Sequence, residues 1–467
     1  AMEYLAGELK EMGLMTARTL SFEGVEYDRL NHTISEEQEE TYNKLADTWR
    51  LIIDNLTEAV QRVAPDTDDE GNQAPNKGVL GALKSLIWSE NQRFWNRVTT
   101  GMMMPTVIAD IKAKWDQKDE DGQPSHSFLI QVVSTGEAET LRQLARPEVM
   151  EDVDLFDLSG KGGLISWVEQ VYPIHRYEDK IGEDGKPTGK KVPTDEIDPD
   201  AVKARDALIK GLALLEIPDP PIHQLLNEFG VEMTAEITGR KSRVVPDPET
   251  GRNKLEEKRD KPAVLQQERK DFMDFKKRLL IFSKKGGTGM SYHADVREKN
   301  QSIRNHYMVE GGWSASETIQ GLGRAHRANQ RQAPNINLVD INIPGYKRFI
   351  STIARRLEQV GALSKGQRQT GGQGLFSSLD NIDTPMGQRA LRAFLSDIKE
   401  GKTETGLDVS EIEAVTGLRI VDPKRSSSRD SGGRTRPLCR PGSTTGPSTW
   451  AWRISQQSVP TSSPKKS

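Results

Sequence analysis

The chain has 467 residues, of which 34% are hydrophobic and 29% charged, a composition that allows two or three globular domains with sizeable cores. The net charge of −4 excludes nucleic-acid binding through bulk positive charge, so any such contact needs a local basic face. The single cysteine excludes an internal disulfide framework, and no apolar run approaches the ~20 residues of a membrane span.

The first residues, AMEYLAGELKEMG, lack the basic and apolar segments of a signal peptide. One cysteine in a chain of this length is typical of a reducing compartment. We therefore expect a cytoplasmic protein if the source is bacterial or phage, a nuclear protein if it is eukaryotic, and no membrane partner. The chain begins with Ala rather than Met, which indicates a fragment of a longer protein.

Residues 1–120 are predicted to be a mainly helical lead-in. From Ser35 to Val63, apolar residues recur at three- and four-residue steps, and Ser35 with Gln38 forms the pattern of a capping box. A second helical stretch runs from about Gly78 to Ile111. Its run Met102–Met104 is better explained as packing core than as part of a cofactor site.

Residues 121–372 change to an alternation of strands and helices. The strands are predicted at FLIQVVST (128–135), RLLIFS (278–283), NHYMVE (305–310) and INLVDI (336–341). Uniformly apolar strands separated by helices indicate parallel βαβ units, so the fold class is α/β, with a parallel sheet covered by helices on both faces. An insertion is expected at about 146–260, irregular across 146–220, with an exposed hairpin or loop near 181–200.

The last part of the chain differs in character. Residues 373–423 are predicted to be a helical extension. Residues 424–467 are basic and poor in aliphatic side chains, so we expect a disordered tail. Two explanations of this tail are open. It is the product of a frameshifted or truncated reading frame, or it is a basic tail that binds nucleic acid.

The segment ETIQGLGRAHRANQ (317–330) concentrates cationic side chains. Ser314 and Glu317 form the pattern of a capping box, which predicts a helix across 317–328. Arg324 and Arg327 are three residues apart and share a helix side, with Gln320 four residues before Arg324. Two guanidinium groups facing a crevice suit a polyphosphate, whereas a solvated basic helix is the alternative.

A glycine-rich loop, SKKGGTGMSYHAD (283–295), directly follows the strand RLLIFS. Gly286, Gly287 and Gly289, with Thr288 and Ser291, give it exposed backbone N–H groups, which in such loops hold phosphates or a nucleic-acid backbone. The loop does not fit the GxxxxGK[ST] pattern, so it is not a nucleotide P-loop.

Together these segments resemble a known family. QGLGRAHR is similar to motif VI of superfamily 2 helicases, GGTGMSYHAD to their motif V, and QVVSTGEAETL to their motif IV region. Further stretches, including TARTLSFEGVEYD, WSENQRFWNRV, AEITGRKSRVV and RFISTIARRLEQVGALSKGQR, resemble the C-terminal helicase half of Strawberry notch-type helicases. They occur in the family's order from about Ala17 to Gly371.

This resemblance implies a second RecA-like lobe of a motor that hydrolyses ATP and moves on DNA. By the resemblance, Arg327 is the first candidate for an arginine finger, Arg324 the second, and Gln320 orients them. Gly287, Thr288 and Gly289 would couple the nucleotide to the nucleic-acid track. The resemblance also implies backbone contacts to nucleic acid from the turn Ser134, Thr135 and Gly136, with Ser291 expected to contribute. A purely structural turn is the alternative for Ser134–Gly136.

The chain departs from the family pattern at the motifs that bind ATP. The 467 residues contain no Walker A lysine loop and no DExH-like box after an apolar strand. We therefore expect ATP and Mg²⁺ to be shared with an N-terminal RecA-like lobe in cis or in trans, and the chain alone to be inactive. No Cys/His cluster indicates a metal site. The expected partner is nucleic acid, as double-stranded DNA. A non-catalytic DNA- or protein-binding module in transcription regulation is the alternative.

Overall fold

The computed structural model describes the chain over these residues: 12, 25–67, 71–157, 159–183, 185–247, 249–257, 259–286, 289–310, 315–347, 349–352 and 385–400. The chain is divided into two compact units. One comprises Leu20–Gly312 and Gln320–Ile341, and the other Ala1–Thr19, Trp313–Ile319 and Asn342–Ser467. The first unit contains the sheet and the candidate site.

A six-stranded parallel sheet forms the centre of the first unit, with the strand order β1-β12-β11-β4-β10-β7. Its strands are β1 (Glu26–His32), β4 (His126–Gln131), β7 (Thr234–Ile237), β10 (Leu279–Phe282), β11 (Ile303–Met308) and β12 (Asn335–Ile341). The central strands are largely buried, because helices cover the sheet. They are not uniformly apolar as predicted, since β11 (IRNHYM) contains the buried polar residues Arg304, Asn305 and His306. The predicted α/β class, a parallel sheet covered by helices, is confirmed.

Helices and three two-stranded hairpins complete the described elements. The helices are α1 (Glu36–Val63), α2 (Lys77–Trp115), α3 (Glu137–Leu144), α4 (Pro147–Glu151), α5 (Lys161–Val171), α6 (Pro199–Leu212), α7 (Pro221–Met233), α8 (Pro262–Met273), α9 (Ala315–Ala325) and α10 (Pro385–Lys399). The hairpins pair β2 (Pro65–Thr67) with β3 (Gln73–Pro75), β5 (His175–Ile181) with β6 (Pro187–Ile197), and β8 (Arg243–Pro246) with β9 (Asn253–Glu256). No helix in the described part of the chain combines the length and apolar character that a bilayer crossing requires.

The helical lead-in forms as its sequence pattern predicts. Ser35 caps α1, and its side chain and that of Gln38 exchange hydrogen bonds with each other's backbone N–H groups, which confirms the capping box. The apolar stripe of α1 is buried. Met102, Met103 and Met104 on α2 are also buried, which confirms the packing interpretation.

Strand β1 was not predicted, although it belongs to the main sheet. Its sequence EYDRLNH is polar, and it pairs in parallel with β12 from Glu26↔Asn335 to His32↔Ile341. Because β1 is an edge strand, only one side of its backbone is paired and its polar side chains alternate towards solvent. The lead-in therefore contributes a strand to the sheet as well as helices.

The expected insertion is more regular than its composition indicates. The prediction of irregular backbone across 146–220 is wrong, because α5, the β5–β6 hairpin and α6 occupy most of it. Pro199 at the first turn of α6 and the Asp198 N-cap show that its prolines and acids begin helices rather than break them. The exposed hairpin is confirmed, and β7, inside the predicted insertion range, belongs to the main sheet.

Part of the predicted organisation lies outside the described residues. Ser314 of the predicted capping box, the two residues Gly287 and Thr288, and the whole tail 424–467 are among them. Within the extension predicted at 373–423, the described residues form α10.

Candidate functional site

A cavity of about 820 Å³ lies among residues that follow or precede the strands of the sheet rather than on the strands themselves. Three elements form its wall: α8, the connection from β10 to β11, and the end of α9. The lining residues are Gln266, Arg269, Met273, Gly289, Met290, Ser291, His293, Asp295, Arg297, Glu298, Gly323, His326, Arg327 and Ala328. The cavity therefore joins the glycine-rich loop to the Gly-Arg segment, which are separate in sequence.

Arg324 is buried, at 8% exposure, and ties α9 to the glycine-rich loop. Its Nη1 donates to the carbonyl of Met290 at 2.7 Å, and its own carbonyl accepts from the backbone N–H of Tyr292 at 2.9 Å. Burial lowers the pKa of Arg324, and the neighbouring Arg327 adds to the effect. An arginine stays charged under such shifts, so the loop is held by a cation.

Arg327 is exposed and lines the cavity. The helix was predicted to reach 328 but α9 ends at Ala325, because the chain turns to pair with the β10–β11 connection. Val296 N donates to Asn329 O at 3.1 Å and Arg331 N donates to Ala294 O at 2.9 Å. Arg327 therefore stands just past the helix, where its Nε donates to Gly323 O at 3.2 Å.

The three arginines of the cavity wall differ in their partners. Arg269 Nη2 lies 3.0 Å from Glu298 Oε1, and Arg297 Nη2 lies 2.6 Å from Asp295 Oδ2. In the described structure no carboxylate lies within ion-pair distance of Arg327. Among the described residues, Arg327 thus differs from the other two cavity arginines in having no carboxylate at ion-pair distance.

Asp295 connects the β10–β11 connection to the segment after α9. Its Oδ1 accepts from Arg297 Nε at 2.9 Å and from Asn329 Nδ2 at 2.9 Å. The side-chain hydrogen bonds from Arg297 hold the pKa of Asp295 well below its usual value. The carboxylate is therefore ionised and already committed to protein donors.

A backbone packing contact and a hydrogen bond determine the shape of the glycine-rich loop. A Cβ on Gly286 would lie 2.6 Å from the carbonyl oxygen of Ile237, so the backbone of the loop packs directly on β7. Tyr292 OH donates to Gly286 O at 2.7 Å, which closes the loop on itself. Gly289 has a φ of +77° and lines the cavity, as does Ser291. The other predicted loop residues, Gly287 and Thr288, lie outside the described part.

Gln320 is exposed on α9 and is not among the cavity-lining residues. Its neighbour Gly321 packs against the sheet, where an added Cβ would overlap the side chain of Gln131. Gly323 lines the cavity itself. Gly321 is therefore the glycine of QGLGR that allows the close approach of α9 to the sheet, whereas nothing lies within 4 Å of a Cβ added at Gly323.

The turn after β4 is held by a buried carboxylate that was not predicted. Glu310 accepts from the backbone N–H groups of Val133 and Ser134, the latter at 2.6 Å, and from Asn96 Nδ2 at 3.1 Å. Burial raises the pKa of Glu310, although these hydrogen bonds oppose the shift. Ser134 remains exposed and Gly136 has a φ of +73°, which an L side chain adopts only with strain.

The carboxyl ends of β4, β10 and β7 lie at one edge of the sheet, because these strands are parallel neighbours. The turn Ser134–Gly136 follows β4, Lys284 and Lys285 follow β10, and Lys241 follows β7. All three lysines are exposed. This edge therefore carries exposed lysines next to the predicted nucleic-acid contacts, together with carboxylates: Lys285 Nζ lies 3.9 Å from Asp260 Oδ2, and Lys241 N donates to Glu137 Oε2 at 3.1 Å.

The structure thus separates the predicted residues into two places. Arg327, Gly289 and Ser291 line the cavity, and Arg324 is buried behind it against Met290. Ser134, Thr135 and Gly136 lie instead at the carboxyl edge of the sheet. The sequence did not identify four further polar residues in these two places. They are Arg269, Arg297 and His293 at the cavity, and Lys241 at the sheet edge. Among the described residues no group of His, Cys, Asp and Glu forms a metal site.

Comparison with known proteins gives two family matches. Residues 220–437 match the C-terminal domain on Strawberry notch homologue, and residues 1–44 match a family described as P-loop containing NTP hydrolase pore-1. Among solved structures, the C-terminal part of the Fun30 ATPase domain aligns with 78% of this chain at 12% identity and a TM-score of 0.24.

Curated relatives extend the similarity beyond the matched domain. Protein FORGETTER 1 of Arabidopsis thaliana is 24% identical over 86% of this chain and 38% of its own length. Strawberry notch homolog 1 of Rattus norvegicus is 28% identical over 85% of this chain and 35% of its own length. The chain spans about a third of the length of these relatives. The chain contains a helicase C-terminal region of the Strawberry notch type.

Proposed function

We propose that this chain is the second motor lobe of an ATP-dependent DNA helicase or translocase. In this role Arg327 is the arginine finger, and the cavity it lines faces the phosphates of ATP held by a P-loop lobe. The observation that carries the proposal is the charge state of the cavity wall. Arg269 and Arg297 are each paired with a carboxylate, whereas Arg327 is exposed and has no carboxylate partner among the described residues.

Hydrolysis of ATP breaks the bond between the γ-phosphorus and the bridging oxygen, and negative charge shifts onto the oxygen of the departing ADP. A fixed guanidinium next to that charge stabilises the transition state more than the ground state. Arg327 has the exposure needed to reach a phosphate from across a cleft. Arg324 is buried against Met290 and acts as the support of the loop rather than as the first finger.

The donor set of the cavity suits an anion rather than a cation. Its two carboxylates, Asp295 and Glu298, are both paired with arginines, so the described wall offers no unpaired carboxylate for Mg²⁺. Mg²⁺ would therefore be held by the P-loop lobe, where it neutralises charge on the phosphate oxygens. The match of residues 1–44 to a P-loop NTP hydrolase family supports such a lobe in the same protein.

The carboxyl edge of the sheet supports the nucleic-acid part of the proposal. Lys241 and Lys284 are exposed there beside Ser134 and Thr135, and lysines and hydroxyls are common contacts of a phosphate backbone. Such contacts position a duplex without reading its sequence. Double-stranded DNA is the partner proposed for this edge.

DNA-stimulated ATP hydrolysis tests the function. The chain joined to its P-loop lobe is assayed with and without duplex DNA, as the wild type and as Arg327→Ala. Stimulated hydrolysis that the substitution abolishes supports a motor lobe. Equal hydrolysis by both proteins contradicts the finger. DNA binding without any hydrolysis points instead to a regulatory binding module.

A further inference from the structure

The side-chain amide of Gln330 contacts two successive residues of the cavity wall. Arg327 N donates to Gln330 Oε1 at 3.1 Å, and Gln330 Nε2 lies 2.8 Å from His326 Nδ1. A backbone N–H only donates, so the amide oxygen must face Arg327 and the amide nitrogen must face the ring. His326 Nδ1 is therefore the acceptor of this hydrogen bond, and the ring carries its proton on Nε2.

Arg327 is held at two points, because α9 has already ended at Ala325. In a continued helix the backbone N–H of Arg327 would donate to the carbonyl of Gly323. That carbonyl accepts instead from Arg327 Nε at 3.2 Å, and the backbone N–H donates to Gln330. The backbone and the far part of the Arg327 side chain thus have one fixed contact each.

The fold holds Gln330 itself in place. Its backbone forms an antiparallel bridge with Asp295 of the β10–β11 connection. The preceding residue, Asn329, has a φ of +65°, in the left-handed region that residues other than glycine seldom adopt. Asn329 Nδ2 donates to Asp295 Oδ1 at 2.9 Å, and Asn329 O accepts from Val296 N at 3.1 Å. Such a backbone conformation persists where the surroundings enforce it, and here it accompanies the return of the Gln330 amide to Arg327.

Building on the role proposed above for Arg327, we propose that Gln330 is a positioning residue for this arginine. Gln330 is not among the cavity-lining residues, so it acts through Arg327 rather than on the nucleotide. Its amide fixes the backbone at Arg327 before ATP arrives, so the guanidinium needs little reordering to meet the γ-phosphate. Misplacement of a catalytic group by about 1 Å can lower a rate by ~10²-fold.

Nitrogen-15 NMR of the histidine rings tests the hydrogen bonds of Gln330 in the full chain without hydrolysis. We expect His326 to show an unprotonated Nδ1 and a protonated Nε2. Gln330→Ala should change the Nδ1 signal of His326, while the ring signals of His175, on the β5–β6 hairpin, stay the same. A protonated Nδ1 in the wild type would mean that the amide does not donate to His326, and would overturn the inference.

Rates of ATP hydrolysis test the effect on Arg327 in the chain joined to its P-loop lobe, with duplex DNA present. Gln330→Ala should lower kcat about 10-fold to 100-fold and leave KM for ATP nearly unchanged, because a finger acts on the transition state. The matched control is Gln332→Ala, which removes a 2.7 Å hydrogen bond to Gln301 O outside the cavity and should hydrolyse ATP like the wild type. Equal rates for the two variants contradict a positioning role.

A double substitution distinguishes positioning from general damage to the fold. In an Arg327→Ala background, Gln330→Ala should lower kcat no further, because its effect passes through the arginine. A second loss of the same size in that background would mean that Gln330 acts independently of Arg327, and the inference would be wrong while the finger stands. If Arg327→Ala alone leaves kcat unchanged, the proposed finger itself is wrong.

Discussion

Arg324 Nη1 donates a 2.7 Å hydrogen bond to the carbonyl of Met290, 34 residues earlier in the chain. The return contact is the bond from Tyr292 N to Arg324 O. These two bonds cross-link the end of α9 to the β10–β11 connection on the cavity side. A movement of the glycine-rich loop therefore changes the environment of Arg324 and of its neighbour Arg327.

Arg324→Ala should damage both stability and turnover. The substitution removes the donor to a carbonyl in a half-buried setting, at a cost of about 1 kcal/mol in the free energy of unfolding. It also loosens the loop, so ATP turnover by the assembled motor should fall. Urea unfolding and steady-state hydrolysis measure the two effects. Unchanged stability together with normal turnover would contradict the cross-link.

Arg327→Ala should lower ATP turnover while leaving the stability of the fold nearly unchanged. The side chain is exposed, so the free energy of unfolding should change by no more than about 0.5 kcal/mol. Turnover of ATP should fall on the order of 10³-fold or more, as for other arginine fingers. The matched control is Arg331→Ala, the same change at an exposed arginine outside the cavity. Equal rates for these two variants would rule out Arg327 as the finger.

Local patterns predicted the helices of the lead-in well. The capping box of Ser35 with Gln38 and the apolar period of α1 are both short-range signals, and both are present in the structure. The apolar strands β4 and β10 were found for the same reason. By contrast, β1 carries EYDRLNH, whose polar residues suit an edge strand and resemble a loop. The position of β1 depends on its pairing with β12, about three hundred residues later in the chain. A pattern within a short stretch of sequence cannot reveal such a pairing.

The candidate site was predicted only in part. Arg324 and Arg327 stand in one motif, so the sequence marks both, yet the structure buries one and exposes the other. That difference depends on where the β10–β11 connection packs. His293 and Arg297 lie within the segments that carry the resemblance, but their partners are brought together by the fold. Burial and charge pairing are long-range properties, so spacing alone did not reveal them.

Gly286→Ala should destabilise the loop. The added methyl group would lie 2.6 Å from Ile237 O and 2.9 Å from Ile237 Cγ2, so backbone must shift, and overpacking of this kind costs about 1–3 kcal/mol. Gly211→Ala in α6 is the matched control, because nothing lies within 4 Å of its added Cβ. That variant should be more stable than the wild type by about 0.5–1 kcal/mol. Chemical unfolding compares them, and an equally tolerated Gly286→Ala would refute the close approach.

Glu310→Gln should change how stability depends on pH. Burial raises the pKa of the Glu310 carboxyl above its usual 4.5 in the folded state. The folded protein therefore holds this proton more tightly than the unfolded chain does, and its stability falls as pH rises through the interval between the two pKa values. The glutamine keeps an oxygen for the N–H groups of Val133 and Ser134 but has no proton to lose.

Unfolding midpoints measured across pH 4–8 test whether the stability contributed by Glu310 falls as pH rises. The control is Glu249→Gln, which changes an ordinary carboxyl at an exposed turn. The stability difference between Glu310→Gln and the wild type should move in favour of the variant as pH rises. A difference that does not vary with pH would mean that Glu310 is not protonated more readily in the folded protein.

Lys241→Ala tests the nucleic-acid edge. Lys241 is exposed beyond β7, at the same sheet edge as the turn Ser134–Gly136. If its ammonium group neutralises a DNA phosphate, removing it lowers affinity for duplexes of any sequence by a similar factor. The slope of log affinity against log salt concentration should become less steep by about 1, because one fewer counterion is released on binding. Binding of a labelled duplex at several salt concentrations gives this slope.

The control for Lys241→Ala is Lys180→Ala, which removes an equal charge from an exposed position on the β5–β6 hairpin. A general loss of positive charge affects both variants alike, whereas a contact at the sheet edge affects only Lys241→Ala. Ser134→Ala should weaken binding without changing the slope, since a hydroxyl contact releases no counterion. Equal slopes for the wild type and Lys241→Ala would place the duplex elsewhere on the lobe.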